Sequence, residues 1–263
     1  MNKKYLLKDK RVKKLRKKIK EAENIFLFLD YDGTLAPFCE NPDDADVFPG
    51  ITEELLRIKQ KSGIYISLIS GRELSNLKSM LYCEGINYAG SHGMEIEFSF
   101  SEQVIYPVYK KNELRSVFNK IFSNLKAETN ENIRIEDKGF ATAFHYNNDR
   151  EKAPLEKKLR TELRKISSAD LEMISGRQVA EIRPTGWHKG RAVNFIADKL
   201  KEQHNLNSSY NIYLGDDRTD EDAFKMVEDG LSIYIQNNGD LKTSAEYYLH
   251  NPEEVYWFLK NLL

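Results

Sequence analysis

Two cysteines in 263 residues, Cys39 and Cys83, are too few for a disulfide framework, so a reducing cytoplasm is the expected home. No apolar run approaches the roughly 20 residues that cross a bilayer. The first residues lack the apolar stretch and small-residue cleavage site of a secretory signal. Low-complexity tracts and internal repeats are absent too, which leaves an ordinary globular chain, 40% hydrophobic, long enough for one large α/β domain or a core with a smaller attachment.

Net charge is nearly absent as well, at −1, but it is unevenly laid out. Residues 1–24 hold eleven Lys/Arg against three Asp/Glu, a local +8, which leaves −9 for the rest. In the basic stretch Leu7, Val12, Leu15 and Ile19 recur at near-helical spacing. Tyr5 is the one aromatic among the charges, too few to interleave them as a nucleic-acid surface would require, so the expectation is a solvated helix lying on the fold, with no nucleic-acid partner.

What is present is a rhythm. "IFLFL", "IYISLIS" and "INYAG" read as strands, with helices "ITEELLRIKQKSG" and "ELSNLKSML" between them. Such alternation predicts a doubly wound parallel sheet, Rossmann-like, with helices on both faces. The rhythm breaks near Glu95. Four strand-like stretches ("EIEFSF", "QVIYPVY", "FATAFHYN", "QVAEIRP") and two long polar helices follow, and then "KGRAVNFIADKL", "NIYLGD" and "LSIYIQ" restore the first pattern. The expected organisation is a basic N-terminal segment, 1–23, an α/β core from 24–96 and 185–263, and an inserted α+β cap domain, 97–184. Short connections at Met94–Glu97 and Pro184–Trp187 would join the two.

Ligands of open α/β sheets gather beyond the carboxyl ends of the strands, and four polar clusters fall there. Asp30 and Asp32 follow the most apolar strand, two apart, so extended backbone turns them the same way. Two carboxylates so close favour a bound cation or a shared proton, and oxygen ligands of this kind suit Mg²⁺ with a phosphate. An Asp-Gly turn alone would explain Asp32 but not Asp30. Ser70, Gly71 and Arg72 follow the next strand, where a hydroxyl, a backbone N–H and a helix start can receive an anion. A serine helix cap accounts for them equally well. Lys189 precedes a helix as a fixed positive charge, and Asp216, Asp217 and Asp220 crowd after "NIYLG". Helix-dipole complementation covers Asp220 but neither Asp216 nor Asp217.

The order Asp-x-Asp, Ser, Lys, Gly-Asp-Asp resembles the four motifs of the haloacid dehalogenase (HAD) superfamily of phosphohydrolases. Within it, "FLDYDGTLAPF", "LISGRE", "AGSHGMEIE", "DKGFATAFHY", "GRQVAEIRPTGWHKGRAV" and "GDDRTDEDAF" are similar to the trehalose-6-phosphate phosphatases, across about residues 24–263. The resemblance implies Asp30 as nucleophile and Asp32 as general acid and base. Mg²⁺ is then held by the Asp30 carboxylate, the Asp32 carbonyl and Asp216, with Asp217 and Asp220 behind them. Ser70 and Lys189 bind the transferring phosphoryl group. It further implies that Lys138, His145, Arg177 and Glu181 of the cap, with Gly71, Arg72, His92 and Glu95 at the edge of the core, meet a small sugar phosphate. For the cap residues, surface ion pairing or strand packing is the plainer account. A monomer is expected. Where the family often carries Arg after His-Tyr, this chain has Asn147 and then Asn148. Sucrose phosphate or glucosylglycerol phosphate is therefore an alternative substrate, phosphomannomutases share the Asp-x-Asp opening, and a non-catalytic sugar-phosphate-binding module is the reading from outside enzymology.

Overall fold

The structure, a computed structural model, describes residues 4–39, 42–109, 111–126, 133–146, 149–165, 171–175, 179–227, 229–237, 239 and 242–263. The chain divides into two compact units, residues Met1–Pro107 with His188–Leu263, and Val108–Trp187.

The first unit is built on β2 (Ile25–Leu29), all five of whose residues are buried. Burying such side chains stabilises by about 1.5–3 kcal/mol each. The strand can be apolar on both faces because helices cover both. Ile25, Leu27 and Leu29 join a cluster with α1 (Asp9–Glu21), α2 (Ile51–Ile58) and α8 (Pro252–Leu262). On the opposite side Phe26 meets Tyr65, and Tyr65 meets His204 of α6 (Lys189–His204).

β2 pairs in parallel with β3 (Ile64–Ile69) on one side and β11 (Tyr210–Gly215) on the other. Beyond β3 come β4 (Asn87–Gly90), β5 (Glu95–Glu97) and β6 (Val104–Ile105); beyond β11 come β12 (Leu231–Ile235), β13 (Tyr247–Leu249) and β1 (Lys4–Tyr5). All pairs are parallel except β4–β5 and β5–β6. The chain runs outward from β2 one way and returns beside it on the other, so the crevice between β2 and β11 is the topological switch point where such folds bind ligands.

Two sequence expectations change. The inserted unit was expected from residue 97, but Tyr88 pairs with Glu97 and Ile96 with Ile105, which adds β5 and β6 to the core sheet and moves the seam to Pro107–Val108. Strands this short carry the same alternation whichever sheet they join. The basic N-terminal segment is likewise an integral part of the first unit. Its β1 extends the sheet beside β13, and Leu15 and Ile19 are buried while the charged face is exposed.

The second unit is a four-stranded antiparallel sheet in the order β7 (Arg134–Asp137), β8 (Thr142–His145), β10 (Val179–Pro184), β9 (Leu171–Ser175). Its helices are α4 (Lys111–Lys126) and α5 (Asp149–Lys165). Along β10 burial alternates, with Ala180 and Ile182 wholly buried and Glu181 and Arg183 on the other face. β7 and β9 take the two places that the sequence pattern had given to what became β5 and β6.

Candidate active site

Asp30 continues β2 by one residue, its N–H donating to the Leu214 carbonyl at 3.0 Å. The next residue, Tyr31, turns the opposite way into the core and anchors there, its hydroxyl donating to the Ala45 carbonyl at 2.7 Å. The Tyr31 carbonyl then accepts the N–H groups of Thr34, Leu35 and Ala36, which winds the chain back on itself immediately past the aspartates. Gly33 makes that turn possible, with φ of 71°.

Lys189, at the first turn of α6, is 3% exposed, and its Nζ donates to Asp30 Oδ1 and to Asp220 Oδ1, both at 2.7 Å. The acidic oxygens of Asp30, Asp216 and Asp220 lie within 4.8 Å of one another. One lysine thus serves three carboxylates. Burial works against the charged form of Lys189, but Asp220 and Asp30 outweigh it and raise its pKa. Burial also raises Asp30 well above the usual carboxylate range; Lys189 opposes the shift and Asp220 and Asp216 add to it. Asp216 is pushed up to about 7, by burial first and then by Asp220, against Lys189. The cluster carries more negative charge than its lysine answers, as a cation site does.

The three acids are not equivalent. Asp220 is saturated: its Oδ1 accepts from Lys189 and from the Tyr213 hydroxyl at 2.6 Å, and its Oδ2 accepts the N–H groups of Asp216 at 3.0 Å and Asp217 at 2.9 Å. It orients Lys189 and the loop, and Asp217 caps the following turn in a reciprocal box with it. That leaves Asp30 and Asp216 to face a cation. The Asp216 carboxylate rests so closely on Gly33 that a Cβ there would lie 1.9 Å from Asp216 Oδ2. Hard oxygen donors converging on a bare glycine backbone fit Mg²⁺, with the Asp32 carbonyl a further oxygen of the same turn.

The Asp32 side chain has a different partner. Arg72 grips it bidentately, Nε to Oδ2 at 2.7 Å and Nη2 to Oδ1 at 2.6 Å. The guanidinium is fixed in turn by Asn76 Oδ1 at 2.9 Å and by the Tyr31 ring, 5.4 Å away. Arg72, expected at the substrate, is therefore bound to the carboxylate assigned to proton transfer. Bidentate pairing of this kind fixes the plane of the carboxylate.

Ser70 lies level with Tyr31 in the register that pairs Leu29 with Leu68, on the strand next to Asp30. It is buried and accepts the Arg72 N–H at 3.1 Å, which leaves its own hydrogen to donate. His92 sits over Gly71: a Cβ there would meet its ring at 2.9 Å. Ser91 and His92 both hold positive φ, 49° and 57°, an uncommon pair for non-glycine residues and one concentrated at functional sites. Glu95, expected at the sugar, has another task. It is buried, and its Oε1 accepts the Leu74 N–H at 2.9 Å and the Ser91 hydroxyl at 3.1 Å, bracing the start of α3 (Leu74–Met80).

In the second unit Lys138 stands at the β7–β8 turn with its Nζ 3.0 Å from Glu181 Oε2. His145 Nε2 is 2.8 Å from Glu136 Oε2, and this contact is the main cause that holds the Glu136 carboxyl below its ordinary value. The register aligns Glu136, Ala143 and Glu181 in one row across three strands, with a small residue between two acids. Glu136 escaped the sequence reading because "RIED" shows no strand alternation. Arg177, like Asn147 and Asn148, lies outside the described residues.

Comparisons with known proteins agree on a family and a fold. The family model described as trehalose-phosphatase matches residues 28–253. Trehalose-phosphate phosphatase B of Arabidopsis thaliana is 33% identical over 261 residues, 92% of this chain and 67% of the relative. The trehalose-6-phosphate phosphatase of Aspergillus fumigatus superposes with a TM-score of 0.76 at 23% identity, over 98% of each chain. A haloacid dehalogenase-like hydrolase of Bacteroides thetaiotaomicron shares the fold, with a TM-score of 0.65 at 18% identity, over 91% of this chain and 100% of that one.

Proposed function

The chain belongs to the trehalose-phosphatase family, and on that premise we propose that it is a Mg²⁺-dependent phosphoric monoester hydrolase converting trehalose 6-phosphate to trehalose and phosphate. The observation that carries the reading is the bridge of Lys189 between Asp30 and Asp220 at the switch point of the sheet, with Asp216 alongside.

Asp30 attacks phosphorus, and the bond from phosphorus to the sugar oxygen breaks as the Asp30–phosphorus bond forms. Asp32 supplies the proton that the departing sugar oxygen takes up. Water then attacks the aspartyl-phosphate, Asp32 accepts its proton, and the Asp30–phosphorus bond breaks to release phosphate. The Arg72 pair suits the second step, since a carboxylate so held is a base; in the first, Asp32 must release an N–H to carry a proton. Lys189 and the Ser70 hydroxyl neutralise phosphoryl oxygens, the main demand of such a displacement. Mg²⁺, held by Asp30, the Asp32 carbonyl and Asp216, would add Lewis-acid charge neutralisation.

Lys138, Glu136, His145 and Glu181 lie on one face of the second sheet, Lys138 exposed and the others half-buried, and they serve as ligands for the hydroxyl-rich disaccharide. Among the described residues no helix is long and apolar enough to cross a membrane, and Cys39 and Cys83 are free. We place the protein in the cytoplasm, as a monomer.

The test is direct trapping. Acid-quenched protein incubated with trehalose 6-phosphate should carry an acid-stable, hydroxylamine-labile phosphate, and Asp30→Asn should carry none. Turnover by Asp30→Asn at the wild-type rate would refute the assignment.

A further inference from the structure

Asn237, two residues past β12, adopts a positive φ of 44°. A turn asparagine tolerates that conformation readily, which accounts for the backbone but not for where the side chain goes. Its Nδ2 donates to the Gly33 carbonyl at 2.6 Å, 204 residues away in sequence, and lies 3.3 Å from Asp216 Oδ2. Gly33 and Asp216 are already in close contact, and a Cβ on Gly33 would stand 3.0 Å from the same amide nitrogen. The backbone behind the amide is fixed: Asn237 N–H donates to the His250 carbonyl at 2.9 Å, and Gly239 N–H donates to the Gln236 carbonyl at 2.7 Å. One amide therefore ties together the loops that leave β2, β11 and β12.

We propose that Asn237 is a positioning residue for the divalent-cation site, clamping the Asp216 carboxylate to the turn that follows the nucleophile. Occupying Asp216 Oδ2 leaves the other oxygen for the cation, and anchoring the Gly33 carbonyl fixes the turn that carries the Asp32 carbonyl. The amide contacts the Gly33 carbonyl and the Asp216 carboxylate, so it acts through that turn and that acid. The inference rests on the metal-dependent reading above. Partners of metal ligands typically contribute 10–100-fold to metal affinity.

Asn237→Gly is the informative variant, because glycine keeps the left-handed turn without a Cβ and deletes only the amide. The full chain is titrated with Mn²⁺, free metal being read by electron paramagnetic resonance. Trehalose 6-phosphate turnover is followed separately against Mg²⁺ concentration. Asn237→Gly should bind Mn²⁺ about 10–100-fold more weakly and need correspondingly more Mg²⁺ for half-activation. Its kcat at saturating Mg²⁺ should stay within about threefold of wild type. Unchanged Mn²⁺ affinity in folded Asn237→Gly overturns the proposal, as does a kcat loss that excess Mg²⁺ fails to restore. If thermal melting finds Asn237→Gly unfolded, Asn237→Ser, whose hydroxyl falls short of both oxygens, is held to the same outcomes. Wild-type protein that binds no Mn²⁺ sinks the metal-dependent reading along with this one, and it is told apart because it appears before any substitution.

Discussion

Replacing Lys189 by Met probes the centre of the buried charge network. Methionine keeps the straight stem and removes the ammonium that contacts Asp30 and Asp220, each at 2.7 Å. Lys189 is 3% exposed, Asp30 4% and Asp220 0%, so water does not replace it. Breaking a buried pair by removing one partner costs about 3–5 kcal/mol, and here two acids lose their partner, which favours the upper half of that range. In an Asp30→Asn background only Asp220 is stranded, and Lys189→Met should cost less by at least about 1.5 kcal/mol, within the usual coupling between contacting residues. Urea unfolding of the four proteins at pH 7.5 in chelator, followed by circular dichroism, gives the cycle. A cost under about 1 kcal/mol for Lys189→Met, or the same cost in both backgrounds, would refute the argument.

Three further outcomes follow from the same geometry. Asp216 is raised to about 7, so below that pH the folded, metal-free protein holds there a proton that the unfolded chain has released. This contribution is fully present below about pH 4 and is lost as pH rises to about 7, so stability should fall between pH 5 and 7, on the order of a few kcal/mol for Asp216 alone. Mg²⁺ should restore more stability at pH 7 than at pH 5, and a melting temperature that climbs from pH 5 to 7 without metal would contradict this. Gly33→Ala places a Cβ against Asp216 in a left-handed turn; it should lose at least about 2 kcal/mol in urea unfolding and bind Mn²⁺ at least about 10-fold more weakly, and wild-type behaviour in both would be inconsistent with the cradle. Glu181→Gln should raise KM for trehalose 6-phosphate about 10-fold while leaving turnover of p-nitrophenyl phosphate, which has no sugar, within about twofold; equal effects on both substrates would remove Glu181 from the sugar site.

What the sequence made legible was whatever is local to a strand end. Asp30, Ser70 and Asp216 each follow an apolar run that can only be a strand, and parallel pairing then sets those ends side by side. Partners chosen through space were not legible. The string "SGRE" cannot say that Arg72 grips Asp32 across 40 residues, nor "SHGME" that Glu95 bends back to brace α3. Asn237 drew no notice in the sequence, because nothing in "IQNNGD" says that its amide reaches Gly33, 204 residues away. The boundary moved from 97 to 108 because β5 and β6, three residues and two, pair in the core by edge geometry rather than by any difference in composition.

The proposed reaction is hydrolysis of the phosphate of a trehalose phosphate with Asp30 as nucleophile. Its most direct test is phosphate release from equal concentrations of trehalose 6-phosphate, sucrose phosphate, glucosylglycerol phosphate and glucose 6-phosphate, with Mg²⁺ and with chelator, by wild type and Asp30→Asn. The predicted result is release that is fastest from trehalose 6-phosphate, lost in chelator and absent in Asp30→Asn. Faster release from another sugar phosphate, or undiminished release by Asp30→Asn, would contradict it.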